Sequence, residues 1–202
     1  MRIKRAISAV ALSASLLAVA TPAASASDVA STADCTSPAL STPLTAFGDA
    51  RHYFLAPGGD FEAGAAGWTL AGGARTASGE GVLGLGADSA SLQLPAGASA
   101  TSPTFCVDLD YPTFRFFAAQ LDAGKGKLSV DVVYPAIDQR KTEAAEVSKL
   151  GEVLELTKDV PLRPETVDKA GGWRLVQLRF RAAADGPGWK VDDVLVDPRM
   201  RG

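Results

Sequence analysis

Short strand-forming runs separated by turn residues are the feature of this sequence that most restricts its fold. From Tyr53 onwards, Gly, Pro or Asp interrupts the chain about every 8–12 residues, the spacing typical of sandwich folds. Between these breaks, polar and apolar residues alternate with the period of a half-buried β-strand. Such runs lie at residues 89–94, 113–117, 127–134, 174–180 and 189–196. They predict an all-β, antiparallel sandwich or barrel.

One segment does not show clear alternation. Residues 138–156 are rich in Glu, Lys and Ala, and Val147, Leu150 and Leu154 recur at helical spacing. Gly151 falls inside this pattern and weakens a helix there. The all-β architecture favours a strand, and both alternatives stay open at this point.

The N-terminus has the organisation of a secretory signal peptide. Three basic residues among the first five precede an Ala/Leu-rich stretch that ends near Pro22, and Ala24-Ser25-Ala26 offers small residues for cleavage. The apolar stretch of about 15 residues is shorter than the roughly 20 that span a bilayer. We therefore predict that residues 1–26 are removed and that the product is secreted to the extracellular space without a membrane anchor.

Length and composition indicate one globular domain. The chain has 202 residues, of which 47% are hydrophobic and 21% charged, with a net charge of −3. Removal of residues 1–26 takes away three basic residues and no acid, so the net charge becomes −6. An acidic chain is a poor partner for nucleic acid. We predict an extended N-terminal segment at 27–50, a single domain at 51–198, and a monomer by default.

The two cysteines predict a disulfide. Cys35 and Cys106 are the only pair in the chain, and the extracellular space is oxidising. A bond between them would pin the N-terminal segment to the domain. A redox-active pair would instead require an exposed thiolate of low pKa, and the neighbouring residues do not indicate one.

Two motifs carry acidic residues in unusual positions. Residues 57–68 form a Gly-rich turn in which Asp60 and Glu62 flank Phe61. In the run 189–196, two carboxylates, Asp192 and Asp193, are adjacent near the start of a strand and would point in opposite directions. Both therefore cannot be core residues, and one of them must face solvent, a hydrogen-bond partner or a cation. A hard cation such as Ca²⁺ takes six to eight oxygen ligands from carboxylates and backbone carbonyls.

These motifs resemble those of the galactose-binding-like jelly roll, in particular carbohydrate-binding modules with an opening G-x-F-E…G-W and a closing D-D-V. The matching residues are 59–62, 67–68 and 192–194, and the resemblance covers about 53–198. It implies that the first and last strands are neighbours. It also implies a structural calcium held by Glu62 and Asp192, with the carbonyl of Asp60 as a third ligand and Asp88 as a further candidate. The alternative is that these acids are simply solvated.

The aromatic residues do not indicate a sugar-stacking platform. Sugar-binding modules stack pyranose rings on exposed Trp or Tyr. Trp68, Trp173 and Trp189 lie where strands begin or end, and the pattern favours core positions for all three.

A polar strip is the alternative ligand surface. Arg115, Asp131 and Arg179 each oppose the apolar face of their own strand. If their strands are neighbours, these side chains line one sheet face that could bind a polar ligand. The competing interpretation is an ordinary solvated face with weak ion pairs.

The sequence thus predicts a secreted, non-catalytic recognition module that binds extracellular or cell-wall glycan. One alternative is a structural or protein-interaction domain without a small ligand. A small glycoside hydrolase is a further alternative, since paired carboxylates can perform that reaction. His52, the single histidine, is predicted to be a surface or packing residue rather than a general base.

Overall fold

The structure is a computed structural model that describes residues 28–79, 90–135, 140–164 and 172–197. These residues form two antiparallel β-sheets and two single-turn 3-10 helices, Thr32–Asp34 and Thr45–Phe47. The predicted all-β antiparallel sandwich is confirmed. The predicted signal peptide, residues 1–26, lies outside the described residues. Within the described ranges, no helix has the length and apolar character needed to cross a membrane.

The seven-stranded sheet has the order β10-β7-β13-β4-β3, with β1 paired to β13 and β11 paired to β7. Its strands are β1 Phe54–Leu55, β3 Arg75–Ser78, β4 Ala90–Leu94, β7 Thr113–Gln120, β10 Glu155–Leu156, β11 Val160–Pro161 and β13 Trp189–Asp197.

The six-stranded sheet has the order β2-β5-β12-β8-β9, with β6 paired to β12. Its strands are β2 Thr69–Ala71, β5 Ser99–Thr101, β6 Phe105–Val107, β8 Leu128–Tyr134, β9 Arg140–Val147 and β12 Arg174–Ala182.

The strand β9 decides between the two interpretations of residues 138–156. Residues 140–147 pair with β8 along their whole length, and the pattern shifts register between Val130 and Asp131. The strand alternative is therefore correct for these eight residues, and β10 follows at 155–156. Pairing with β8 overrides the weak helical spacing, because propensity is easily outweighed by tertiary context. Residues 138–139 lie outside the described part.

The main core lies between the two sheets, and alternation along each strand selects its members. Phe114 and Phe116 from β7 meet Leu178 and Phe180 from β12, all without solvent exposure. The ring centroids of Phe116 and Phe180 are 5.0 Å apart in an edge-to-face arrangement. Residues at the other parity of these strands therefore point to the outer faces, where the candidate sites lie.

Candidate functional site

The Gly-rich opening loop and the acidic closing strand lie against each other. β1 pairs with β13, with Phe54 opposite Val196, so the first and last strands are neighbours as the resemblance implies. The N–H of Val194 donates to the Gly59 carbonyl at 3.0 Å, and the N–H of Ala56 donates to the Val194 carbonyl at 2.8 Å. A Cβ atom on Gly59 would lie 3.0 Å from both Val194 Cβ and Ala56 O. This close approach requires glycine.

The acid pair sits in a bulge of β13. The pairing with β7 shifts register between Asp192 and Leu195, and Asp193 has a left-handed φ of +45°. The bulge breaks the strict alternation of a strand, so both acids are buried, with Asp192 only 1% and Asp193 2% exposed. Asp192 Oδ1 accepts a hydrogen bond from the Asp193 N–H at 2.9 Å.

The donors near this bulge suit a hard cation in their chemistry. Glu62, from the opening loop, accepts a hydrogen bond from the Ala90 N–H through Oε1 at 2.9 Å. Carboxylate and carbonyl oxygens are the ligands that Ca²⁺ prefers. Among the described residues, no three His, Cys, Asp or Glu side chains are grouped as a metal centre. Calcium binding through Asp60, Glu62 and Asp192 stays a prediction, and Asp88 lies outside the described residues.

The disulfide between Cys35 and Cys106 is present, as predicted. It joins the N-terminal segment to β6. Next to it, the Val29 N–H donates to the Thr104 carbonyl at 3.1 Å, and the Thr104 N–H donates to Asp28 Oδ1 at 2.6 Å. The segment is therefore attached to the six-stranded sheet by a covalent bond, by one backbone hydrogen bond and by one hydrogen bond to a side chain.

Further along, the same segment covers the outer face of the seven-stranded sheet. Leu44 and Tyr53 are fully buried there against Phe117 and Leu195. Phe47 is 47% exposed and packs its ring edge-to-face on Phe117, with centroids 5.3 Å apart. This second apolar cluster fills the face that a flat ligand would otherwise occupy.

A charged cluster lies at the end of the covered face, and we call it the Arg51 cluster. Its members are Asp49, Arg51, Arg115, Asp159 and Asp197. Arg51 forms ion pairs with Asp49 at 2.8 Å, Asp159 at 2.9 Å and Asp197 at 2.7 Å. Arg115 Nη1 lies 2.7 Å from Asp49 Oδ2. The cluster thus ties the N-terminal segment to β7, β13 and the loop before β11.

The pKa values of two acids in this cluster, Asp49 and Asp197, are shifted in opposite directions. The hydrogen bond from Arg51 holds the pKa of Asp49 well below its usual range. Burial raises the pKa of Asp197, and its Oδ1 has no hydrogen-bond partner in the described part of the chain. Burial and a hydrogen bond to Asp49 raise the pKa of the Tyr53 hydroxyl. These are the features of a structural ion-pair network.

The prediction that Arg115, Asp131 and Arg179 share one sheet face is wrong. Arg115 lies on β7 of the seven-stranded sheet, whereas Asp131 and Arg179 lie on β8 and β12 of the six-stranded sheet. Arg115 is engaged in the Arg51 cluster and also donates through Nε to the Thr157 carbonyl at 2.8 Å. Alternation fixes the direction of a side chain within its own strand, but it does not identify which strands are neighbours.

The other two residues do share a surface, the outer face of the six-stranded sheet, which we call the polar face. Asp131 and Arg179 are opposite each other in the β8–β12 register. The polar face comprises the polar outward side chains of β5, β8 and β12: Ser99, Thr101, Ser129, Asp131, Gln177, Arg179 and Arg181. Val133 and Leu175 have the same outward parity and are nearly buried.

Two arginines of the polar face are held by neighbours. Arg181 directs Nε and Nη2 to the two carboxylate oxygens of Asp131, at 3.0 and 3.3 Å. Asp131 itself is fully buried, so it positions Arg181 rather than meeting solvent. Arg179 donates through Nε to Thr101 Oγ1 at 3.2 Å. Both guanidinium groups stay partly accessible and retain further donors.

The aromatic residues provide no sugar-stacking platform. Trp68 and Trp189 are buried in the core, as predicted, and the Trp68 indole N–H donates to the Pro57 carbonyl at 3.0 Å. Trp173 is partly buried and stacks on Tyr111, with centroids 6.1 Å apart. Every Trp, Tyr and Phe of the chain lies in the described residues, and only Phe47 is exposed. His52 is also exposed, in line with its predicted surface role.

Sequence reasoning missed two sets of site residues. Asp49, Asp159 and Asp197 come from three segments distant along the chain, and no sequence pattern connects them. Alternation does point Arg181 outward, because it has the same parity as Arg179 and opposes the same apolar side chains, but the predicted ligand face does not include it.

Comparison with known proteins gives similar solved structures. No protein-family model matches the sequence, and no curated protein matches it. The carbohydrate-binding module TmCBM61, solved with β-1,4-galactotriose, is 15% identical and has a TM-score of 0.42 over 70% of this chain and 96% of that one. The CBM22-1 xylan-binding domain of Paenibacillus barcinonensis Xyn10C is 11% identical, with a TM-score of 0.43 over 68% and 88%.

A third similar structure is the K1 cleaved adhesin domain of Lys-gingipain from Porphyromonas gingivalis W83. It is 15% identical, with a TM-score of 0.47 over 68% of this chain and 95% of that one. Carbohydrate-binding modules, which the sequence motifs resemble, are thus among the similar solved structures. At these identities and TM-scores, no function or binding residue is transferred to this chain.

Proposed function

We propose that this protein is a secreted recognition domain that binds a glycan on the polar face. The proposal rests on one observation: the N-terminal segment covers the outer face of one sheet but not that of the other. The N-terminal segment fills one with Leu44 and Tyr53, whereas the other presents guanidinium, amide and hydroxyl groups. A covered face supports stability, and an uncovered polar face is available to a ligand.

The chemistry of the polar face suits sugar hydroxyls and carboxylates. Arginine offers a planar fork of donors, and the hydroxyls of Ser99, Thr101 and Ser129 can both donate and accept. Gln177 donates through Nε2 to the Ser102 carbonyl at 3.3 Å and keeps its acceptor side available. Binding on this face would depend on hydrogen bonds rather than on ring stacking, because the chain's aromatic residues lie elsewhere.

Positioned donors favour binding because less side-chain freedom is lost when the ligand arrives. Asp131 holds Arg181, and Thr101 holds Arg179, so both guanidinium groups are oriented before binding. The Cys35–Cys106 disulfide supports the extracellular location, since such bonds persist in oxidising compartments.

A glycan array probed with the mature protein tests the proposal. We expect binding to a defined set of glycans, weakened about ten-fold or more by Arg179→Ala, as for the loss of charge-assisted hydrogen bonds. Arg75→Ala is the matched control, because Arg75 is an exposed strand arginine on β3 that donates to Gln93 Oε1. Absence of glycan binding would favour the alternative of a structural or protein-interaction domain. Binding that both variants retain would move the site away from the polar face.

A further inference from the structure

A cavity of about 500 Å³ lies at one end of the sandwich. It is bordered by the last residue of β7, by the β7–β8 loop at 124–127, by the turn after β9 and by the β12–β13 loop. The volume lies in the range of about 300–1,000 Å³ that is usual for small-molecule sites.

The walls of the cavity are fixed by close backbone packing. A Cβ atom on Gly126 would lie 2.5 Å from Pro187 Cδ, and one on Gly186 would lie 2.8 Å from Gly126 Cα. The β7–β8 and β12–β13 loops therefore touch at glycines, and neither loop can accept a larger residue there without moving. A cavity with such walls is already formed before a ligand enters.

The cavity is lined by one polar side chain with little solvent exposure, that of Gln120. Gln120 is only 5% exposed and lines the cavity at the end of β7. It has the same parity as Phe116 and Ala118, so it points between the sheets rather than outward. Its side-chain amide makes no hydrogen bond within the described part of the chain. The amide is not among the polar atoms sealed from solvent, so it opens to the cavity and is available to a polar ligand.

The rim of the cavity carries an excess of positive charge. Lys125 and Lys149 are exposed and form no ion pair with any described residue, while Lys127 pairs with Glu146 at 2.7 Å. Asp185 is the one acid among the described residues that line the cavity. With Lys127 balanced by Glu146, the lining keeps two ammonium groups, Lys125 and Lys149, for one carboxylate, Asp185, and this balance favours an anionic ligand.

We propose that this end cavity is a separate binding site for the carboxylated sugar of an acidic glycan. Lys125 and Lys149 attract the carboxylate, and the amide of Gln120 donates to and accepts from the sugar hydroxyls. The hydroxyl of Ser148, which also lines the cavity, supplies a further polar contact. The site does not depend on the polar face, so either site can exist without the other.

Calorimetric titration of the mature protein with tri-galacturonate and with neutral galactotriose tests this proposal. We expect tri-galacturonate to bind the cavity with an affinity that falls as salt is raised, because the contact is electrostatic; Arg179→Ala, on the polar face, should leave this binding unchanged. Lys125→Ala and Lys149→Ala should each weaken it about five-fold, whereas Lys158→Ala, an exposed lysine outside the cavity, should not. Galactotriose should bind the cavity more weakly than tri-galacturonate.

Gln120→Leu provides the second arm of the experiment. The change keeps the volume close to that of glutamine and removes an amide that makes no hydrogen bond to another described residue, so the variant should melt close to the wild-type temperature. Its affinity for tri-galacturonate should fall about ten-fold. If Gln120→Leu does not fold, the affinities of Lys125→Ala and Lys149→Ala for tri-galacturonate still test whether the ligand binds in the cavity. No tri-galacturonate binding, or binding that the lysine and glutamine changes leave intact, would overturn the proposal, as would equal affinity for galactotriose.

Discussion

At the scale of single residues, Asp49 is the acid on which the Arg51 cluster depends. It accepts hydrogen bonds from Arg51, Arg115 and Tyr53 at 2.7–2.8 Å. Because its pKa is lower in the folded than in the unfolded chain, its contribution to stability is present above a pH of about 4 and is lost as the pH falls below that value. Asp49→Asn should therefore destabilise the protein at neutral pH by about 1–3 kcal/mol.

Denaturant unfolding at several pH values measures this effect. The difference in unfolding free energy between wild type and Asp49→Asn should narrow as the pH falls from about 4 towards 2. Asp34→Asn, at an exposed acid of the first 3-10 helix, should match wild type throughout. A difference that stays constant across this pH range would show that Asp49 acts through its shape and not through its charge.

At the scale of structural elements, the opening loop and the bulge of β13 form one unit. Gly59→Ala would place a Cβ atom 3.0 Å from Val194 Cβ and from Ala56 O, so the loop or the bulge must shift. We expect a loss of about 1–3 kcal/mol in thermal or chemical unfolding. Gly151→Ala is the matched control, because the nearest atom to its Cβ, Glu155 Oε1, would be 3.9 Å away. Equal stability of Gly59→Ala and Gly151→Ala would contradict the close packing of the opening loop against the bulge of β13.

The same unit is where calcium is predicted to act. A metal that binds only the folded state adds stability that increases with its free concentration. A chelator should therefore lower the melting temperature of the wild type, and Glu62→Ala or Asp192→Ala should remove that sensitivity. Asp193→Ala should retain it, because the resemblance assigns no ligand role to Asp193. If chelator leaves the wild-type melting curve unchanged, the acid pair serves only to form the bulge.

Elements differ in how far the sequence determines them. The alternation of polar and apolar residues predicts β7, β8, β12 and β13. A strand that buries one face must place an apolar residue at every second position. This alternation does not predict that β7 and β8 belong to different sheets, and for that reason the predicted face of Arg115 is wrong. The bulge at Asp192 is invisible for the same reason, since it depends on the partner strand and on the glycine loop packed against it.

At the scale of the whole molecule, the disulfide determines how firmly the N-terminal segment covers the seven-stranded sheet. Cys35 and Cys106 are 71 residues apart, and closing such a loop is worth up to about 4 kcal/mol on the chain-entropy model. The double variant Cys35→Ser/Cys106→Ser should melt at a lower temperature and keep its β-sheet circular dichroism, because the main core lies between the sheets. Reduced wild type should behave like the double variant. Loss of the sheet spectrum would show that the segment is needed for folding itself.

The central claim is that the polar face, and not the covered face, binds glycan. NMR titration of the isotopically labelled mature protein with the best glycan from the array tests it most directly. We predict that the amide signals that shift belong to β5, β8 and β12, with Thr101, Gln177 and Arg179 among the most affected. Arg179→Ala should reduce these shifts, and Arg75→Ala should not. Shifts confined to the N-terminal segment around Phe47 and to β7 would contradict the claim.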